Sequence, residues 1–517
     1  MKLKIILLAI ILIAGFLRFY NLNFGSPYFF NPDERNMAIA ITKLSFPKSM
    51  NPHFFAYGQL PLYLAYYSER AATVSFSQAI FWLRFWSAVA SVLTIFVVYK
   101  ITKIITQREK YALISALLTS FTPGLIQSAH FGTTESLLTF LFMLIIYLSL
   151  TLQGQTFRAI ILGSLTGIAI ATKVSALIFI AVPVISVLVH KIKTVKKVIL
   201  LLILIIFSSV TSALLSPYNL LDFKEFKGSM NYESSVATGK FRVFYTRQFE
   251  NTIPVLFQFE KVFPYALGTP ILIFGSIGFL ILCLKFKTYF ILFFSFLIYF
   301  IPNSFLYAKW TRFMTPVIPL FAIFAAYFIF RLKLNKLIIY LIIISTIIPG
   351  IYFFSIYTKP DIRVVASEWI YNNIPEGSYI LSETANVIDI PLQNQKSKIK
   401  NQNYTVISFN FYELDNEPSL VNQLLNHLEK ADYIFIPSRR IFANHRQYPD
   451  KYPITSKYYE LLFSGKLGFE KTSEFYVLND ETAEETFSVF DHPKIRIYKK
   501  SEQLTSSDYF EMLINDE

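Results

Sequence analysis

The chain has 517 residues, 54% of them hydrophobic and 17% aromatic, with a mean hydropathy of +0.46. A water-soluble chain of this length would form three or four ordinary domains, whereas this composition makes lipid the solvent for much of it. The net charge of +14 does not imply a nucleic-acid partner, because residues 361–517 carry 24 acidic and 16 basic side chains, leaving 10 acidic and 32 basic in the first 360, with no basic stripe of interleaved stacking groups.

Met1-Lys2-Leu3-Lys4 and the apolar run after it have the layout of a signal peptide. The run lacks a small-x-small cleavage site and continues into Arg18-Phe19-Tyr20, so it reads as an uncleaved first span. Since a span takes about 20 apolar residues, the pattern predicts about eleven spans, near 4–20, 80–99, 111–129, 134–152, 157–172, 174–189, 198–215, 268–284, 288–306, 313–330 and 336–354. Residues 157–189 also suit one long hairpin or a span with a re-entrant piece. The single cysteine, Cys283, excludes an internal disulfide and a cysteine-based metal site.

With the N-terminus in the cytoplasm, the inner turns fall at 100–110, around Arg158, and at 190–197, 285–287 and 331–336, and all are basic. That is the bias expected of cytoplasmic loops. Of the ten acidic residues before position 361, only Glu109 lands inside. The outer face gathers the other carboxylates, has two long loops at about 21–79 and 216–267, and receives the C-terminal region. The expected fold class is therefore a mostly α-helical, multi-pass membrane protein, with a membrane domain over 1–356 and an extracytoplasmic α/β domain over 357–517. The expected location is the plasma membrane.

In the first outer loop, Asp33 and Glu34 follow Pro32 and precede the apolar Met37-Ala38-Ile39-Ala40-Ile41. The pattern predicts a short interfacial helix with both carboxylates in its first turn. Carboxylates there suit a helix cap and a catalytic base equally.

The segments Asn31-Pro32-Asp33-Glu34-Arg35-Asn36-Met37-Ala38 and Asn51-Pro52-His53-Phe54-Phe55-Ala56-Tyr57-Gly58-Gln59-Leu60-Pro61 resemble the start of lipid-carrier-dependent glycosyltransferases of the GT-C fold. That class includes the protein O-mannosyltransferases and aminoarabinose transferases, glycosyltransferase family 39 in type. Further resemblances run in order along the chain: Ala129-His130-Phe131-Gly132-Thr133-Thr134-Glu135, Ala171-Thr172-Lys173-Val174-Ser175-Ala176, Ser216-Pro217-Tyr218-Asn219-Leu220-Leu221-Asp222, Arg312-Phe313-Met314-Thr315-Pro316, Pro360-Asp361-Ile362-Arg363 and Phe487-Ser488-Val489-Phe490-Asp491-His492. Members often carry Asp where this chain has Glu135. The resemblance implies transfer of a sugar from a polyprenyl-phosphate donor to a protein, lipid or glycan acceptor at the outer face, usually with inversion. A cell-surface polysaccharide ligase or polymerase shares this topology and donor. A secondary transporter fits less well, because there is no internal repeat and the carboxylates stand outside the spans.

Such chemistry needs a base for the acceptor proton and cations for the departing phosphate. Asp33 is the expected base, with Glu34 orienting the acceptor or helping to hold a cation. Lys173, Arg312 and Lys309 are cations on the outer side, where the positive-inside bias makes them unexpected, and are the expected phosphate ligands. Arg242 and Arg247 in the second outer loop are reserves. His53, His130 and Glu135 could join the acidic pair as metal ligands, but no spacing motif builds a cage, so a divalent metal stays open and no cofactor is assigned. Tyr57, Tyr218 and Asp222 complete the expected substrate-binding set.

Beyond residue 360 the pattern predicts helices at 364–373 and 418–430, strands at 378–382, 404–410, 432–437, 475–478 and 494–499, and a polar loop at 393–402. No nucleophile triad or phosphate-binding glycine loop occurs there. A role in covering the site or selecting the acceptor is expected.

Overall fold

The structure is a computed structural model that describes residues 2–69, 73–152, 154–332, 335–383, 389–392 and 403–515. The loop expected at 393–402 lies outside them. The chain forms two compact units. The first comprises Met1–Phe24, Pro32–Phe241 and Asn251–Phe354, and the second Gly25–Asn31, Arg242–Glu250 and Ser355–Glu517.

The first unit is helical. Its helices are α1 (Lys2–Phe19), α2 (Pro32–Thr42), α3 (Leu60–Ser68), α4 (Phe76–Thr106), α5 (Glu109–Ser120), α6 (Pro123–His130), α7 (Glu135–Leu150), α8 (Thr156–Thr172), α9 (Ala181–Val189), α10 (Thr194–Leu215), α11 (Tyr218–Leu221), α12 (Phe223–Thr238), α13 (Thr269–Cys283), α14 (Phe286–Ser304), α15 (Ile318–Arg331) and α16 (Lys336–Phe354). Among the described residues, five helical segments are long and apolar enough to cross a membrane: Phe76–Thr106, Thr194–Leu215, Pro264–Cys283, Thr311–Arg331 and Lys336–Thr358. They coincide with five of the expected spans, and the chain is a multi-pass membrane protein.

Where the expected spans differ, the sequence supplies the cause. The segment expected at 111–129 is two helices, α5 and α6, bent by 56° at Phe121-Thr122-Pro123. Pro123 lacks the N–H that would continue the α5 ladder, and it is tolerated at the start of α6, where that N–H would have no partner anyway. Arg18 of α1 is wholly buried and donates to the carbonyls of Thr119 (3.2 Å) and Ser120 (3.0 Å), satisfying acceptors that the end of α5 leaves over. The segment expected at 174–189 begins as a 3-10 turn, Val174–Ile180, before α9. Lys173, in extended conformation, ends α8 there. Small residues let helices approach closely: a Cβ on Gly278 of α13 would stand 2.0 Å from the Phe324 carbonyl oxygen of α15.

The second unit contains a five-stranded sheet in the order β2-β1-β3-β5-β4. Its strands are β1 (Tyr379–Glu383), β2 (Thr405–Phe409), β3 (Tyr433–Ile436), β4 (Phe469–Phe475) and β5 (Ile495–Lys500), with α17 (Ile362–Asn373), α18 (Pro418–Lys430), α19 (Phe442–His445), α20 (Pro453–Ser464), α21 (Glu485–Val489) and α22 (Ser506–Ile514). Strands β2, β1 and β3 are parallel, and β5 is antiparallel to β3 and β4. Alternation divides the side chains between two cores: Leu381 and Ile434 pack with α18 through Leu424 and Leu428, whereas Ile380, Tyr433 and Phe435 pack with α17 through Ala366 and Ile370. The strand expected at 475–478 is shifted, because pairing with β5 places β4 over Phe469–Phe475. That stretch, Phe-Glu-Lys-Thr-Ser-Glu-Phe, is polar enough to conceal an edge strand.

Candidate active site

The site is built in the first unit, at the start of α2. Asp33 and Glu34 occupy its first turn. Consecutive helical residues diverge by roughly 100° around the axis, so the two carboxylates meet different surroundings. Glu34 is fully buried and accepts from Arg84 Nε at 2.9 Å and from the Gly132 N–H at 2.8 Å, while Arg84 Nη2 pairs with its other oxygen. Arg84 of α4 also donates to the carbonyls of Leu22 (2.8 Å) and Phe24 (2.7 Å). Glu34 is thus the centre of a clamp joining α2, α4, the chain after α1 and the turn after α6.

Asp33 is about a quarter exposed and pairs with Arg312, on the 3-10 turn Thr311–Val317 that leads into α15. The Arg312 guanidinium stacks on Trp310, 4.7 Å from its ring centre, and Nη1 lies 3.3 Å from the Tyr57 hydroxyl. Tyr57 in turn stands beneath Lys173, whose Nζ is 4.9 Å from the Tyr57 ring centre and 5.6 Å from that of Phe313. Lys173 pairs with Glu135 at 3.2 Å. Asp33, Arg312, Tyr57, Lys173 and Glu135 therefore form one continuous patch, with a cation on either side of Tyr57 and a carboxylate at each end.

Local backbone structure explains the placement of Tyr57. The adjacent Gly58 runs so close to the end of α8 that a Cβ would lie 1.9 Å from the Ala171 carbonyl oxygen, and its N–H donates to Thr172. Only glycine fits there. Next in line, buried Gln59 receives the Tyr218 N–H (3.1 Å) and donates to Asn219 (3.2 Å), while its own N–H donates to the Ser216 hydroxyl (3.0 Å). Tyr218 thus contributes its backbone to this junction of the two outer segments.

Burial shifts a hydroxyl and a carboxyl group at the patch. Burial, with Glu135 and Glu233 nearby, drives the Tyr57 hydroxyl pKa far above its ordinary value. Burial also raises the Glu233 carboxyl, an effect that Lys173 opposes. Glu233 comes from α12 and was no sequence candidate, since nothing in Asn231-Tyr232-Glu233-Ser234 marks it. Arg84 was also overlooked, although an arginine inside a long apolar helix is a recognisable signal.

The remaining candidates are dispersed. Lys309 is buried and donates to the Tyr307 carbonyl at 3.1 Å, with burial lowering its pKa. His130 is buried with both ring nitrogens against backbone carbonyls, of Ile126 (2.9 Å) and Tyr20 (3.0 Å), so neither nitrogen faces the acidic pair. His53 and Asp222 stand in a separate group with Glu225. Arg242 and Arg247 lie in the second unit: Arg242 faces Glu250 at 3.9 Å, and Arg247 donates to the Tyr412 carbonyl (2.9 Å) and to His445 (2.7 Å).

Against known proteins, residues 56–227 match the family model described as dolichyl-phosphate-mannose-protein mannosyltransferase. No curated protein matches the chain. Among solved structures, the apo oligosaccharyltransferase of Archaeoglobus fulgidus is similar with a TM-score of 0.50 at 14% identity, over 88% of this chain and 72% of that one. A second structure of that enzyme, with Zn and sulfate, gives 0.49 at 15% identity over 88% and 71%. ArnT from Cupriavidus metallidurans bound to undecaprenyl phosphate gives 0.44 at 14% identity over 96% and 97%. At such identities the likeness is one of fold, so the architecture is the GT-C fold, and the matched segment 56–227 contains Tyr57, Glu135 and Lys173 of the charged patch.

Proposed function

We propose that the protein is a membrane glycosyltransferase that moves a sugar from a polyprenyl-phosphate donor to an acceptor on the extracytoplasmic face of the plasma membrane, with inversion. The observation that carries this reading is the pairing of a part-exposed carboxylate, Asp33, with Arg312, beside Tyr57 and Lys173. The oligosaccharyltransferase and ArnT structures include complexes with dolichol-phosphate and undecaprenyl phosphate, which fits a donor of that class.

In this mechanism the acceptor O–H or N–H attacks the anomeric carbon, Asp33 takes its proton, and the bond from that carbon to the phosphate oxygen breaks on the opposite side. The electron pair leaves with the lipid phosphate, whose charge falls to Arg312 and Lys173. Preorganised cations aimed at developing charge are the larger part of such catalysis. Because Arg312 holds Asp33 in the free protein, an arriving phosphate competes for the guanidinium and frees the carboxylate to act as base. Glu34 serves as a positioning residue: its clamp with Arg84 fixes the first turn of α2. Glu135 keeps Lys173 directed at Tyr57.

The test uses purified protein and a panel of polyprenyl-phosphate sugars, with donor consumption as the readout. One donor should be consumed, and Asp33→Asn should slow its transfer by about a hundredfold or more, the scale of a lost general base. Consumption of no donor in the panel would remove the proposed activity. Full turnover by the variant would instead remove Asp33 from the base role.

A further inference from the structure

The outer segments of the first unit hold a second polar cluster that the proposed transfer does not use. His53 lies on the loop between α2 and α3, Asp222 immediately precedes α12, and Glu225 is in the first turn of α12. His53 Nδ1 is 2.7 Å from Glu225 Oε2 and 3.8 Å from Asp222 Oδ2, and the three ligand atoms lie within 4.8 Å of one another. Two atoms that each bind tetrahedral zinc at about 2.0–2.1 Å are about 3.3–3.4 Å apart, a spacing these two distances bracket.

The cluster offers a cation two carboxylates and an imidazole. Two carboxylates converge on one imidazole, and among the described residues neither is paired with a lysine or arginine. The same Nδ1 lies 3.4 Å from the Asn51 amide nitrogen, a donor, and 2.7 Å from a carboxylate oxygen, an acceptor. Either a hydrogen on Nδ1 or a metal ion between Nδ1 and Glu225 makes the short contact favourable. Asn51 has the placement of an outer-shell partner: its side chain donates to Asp222 Oδ2 at 2.9 Å and accepts the His53 N–H at 3.1 Å. The His53 backbone is held at a φ of +46°, a left-handed conformation costly to a residue with a Cβ. Imidazole favours zinc-class ions over magnesium or calcium, which prefer oxygen alone.

We propose that His53, Asp222 and Glu225 form a site for a divalent metal ion of the zinc class, which fastens the first outer loop to α12. Water completes the coordination shell. Since α12 also carries Glu233, the ion sets how that carboxyl is presented beside Tyr57 and Lys173. The proposal does not depend on the transferase reading.

The experiment uses the full-length protein in nanodiscs, free of affinity tags, stripped by a chelator and dialysed. Titration with Co2+, followed by visible absorption, and with Zn2+, followed by calorimetry, should each show one equivalent bound. His53→Gln and the double variant Asp222→Asn/Glu225→Gln should lose this binding, and Asn51→Ala should weaken it by about 10- to 100-fold. Zinc should slow hydrogen exchange across residues 218–238 in the parent and not in H53Q. These side chains are partly or fully exposed, so the variants keep their fold. Absence of stoichiometric metal binding would overturn the proposal, leaving a staple held by the hydrogen bond between His53 and Glu225. Equal binding by all variants would overturn it too, because the ion would then lie elsewhere.

Discussion

Asp33 and Glu34 are adjacent, chemically alike and opposite in circumstance. One carboxylate is partly exposed against Arg312, and the other is sealed against Arg84 and Gly132. A buried pair of this kind gives little net stability, but removing one member strands a charge at a cost of about 3–5 kcal/mol. Glu34→Met and Arg84→Met should therefore each sharply lower the thermal midpoint of the purified protein. The double variant E34M/R84M should lose less than the two singles added together, since it leaves no unpaired charge. Additive losses in calorimetry would show that the pair is not energetically coupled. Asp33→Asn should leave the midpoint nearly unchanged, separating the chemistry at position 33 from the architecture at position 34.

At the level of elements, the short helix α21 and its flanks depend on one histidine. His492 is wholly buried between Asp480 (2.7 Å) and Asp491 (2.5 Å), and Asp491 also accepts from Tyr357 at 2.7 Å. Burial opposes the imidazolium, but the two carboxylates outweigh it and push the His492 pKa up to about 10. A histidine in the unfolded chain titrates near 6.5, so this contribution is complete below about pH 6.5 and is lost as pH rises towards 10, at up to about 1.4 kcal/mol per pH unit. Differential scanning calorimetry between pH 7 and 10 should show the transition of the second unit moving down in temperature. His492→Gln should begin lower and flatten that dependence. An unchanged slope in the variant would assign the effect to other groups. The Asp491-His492 pair was visible in sequence only as part of a resemblance, because Asp480 reaches the ring from beyond α21.

At the scale of the whole molecule, the proposed chemistry requires Asp33, Arg312 and Lys173 to face away from the cytoplasm. The placement of basic residues between spans supports that orientation. Alkaline phosphatase fused after Glu517 should be active in a bacterial host, whereas a green fluorescent protein at the same point should stay dark. The reverse pattern would place the C-terminal unit, and with it the outer loops, on the cytoplasmic side.

The sequence by itself determined what solvent and backbone chemistry dictate locally. Apolar runs marked the long membrane helices, Pro418 and the run behind it marked α18, and short runs rich in Ile, Leu, Val, Tyr and Phe marked the strands β1, β2 and β3, because burial in lipid or between layers fixes residue type at each position. Asp33, Arg312, Tyr57, Lys173 and Glu135 were likewise legible as candidates, from their places on outer loops and turns and from the family resemblance. Tertiary structure decided which of them meet. It set Arg84 on Glu34 across 50 positions and Arg312 on Asp33 across 279, and it drew Arg247 into the second unit. It also brought His53 to Asp222 and Glu225, which no spacing rule connects. Pairing of charges depends on distance in space, and residue spacing along the chain carries that distance only within a helix turn or a strand pair.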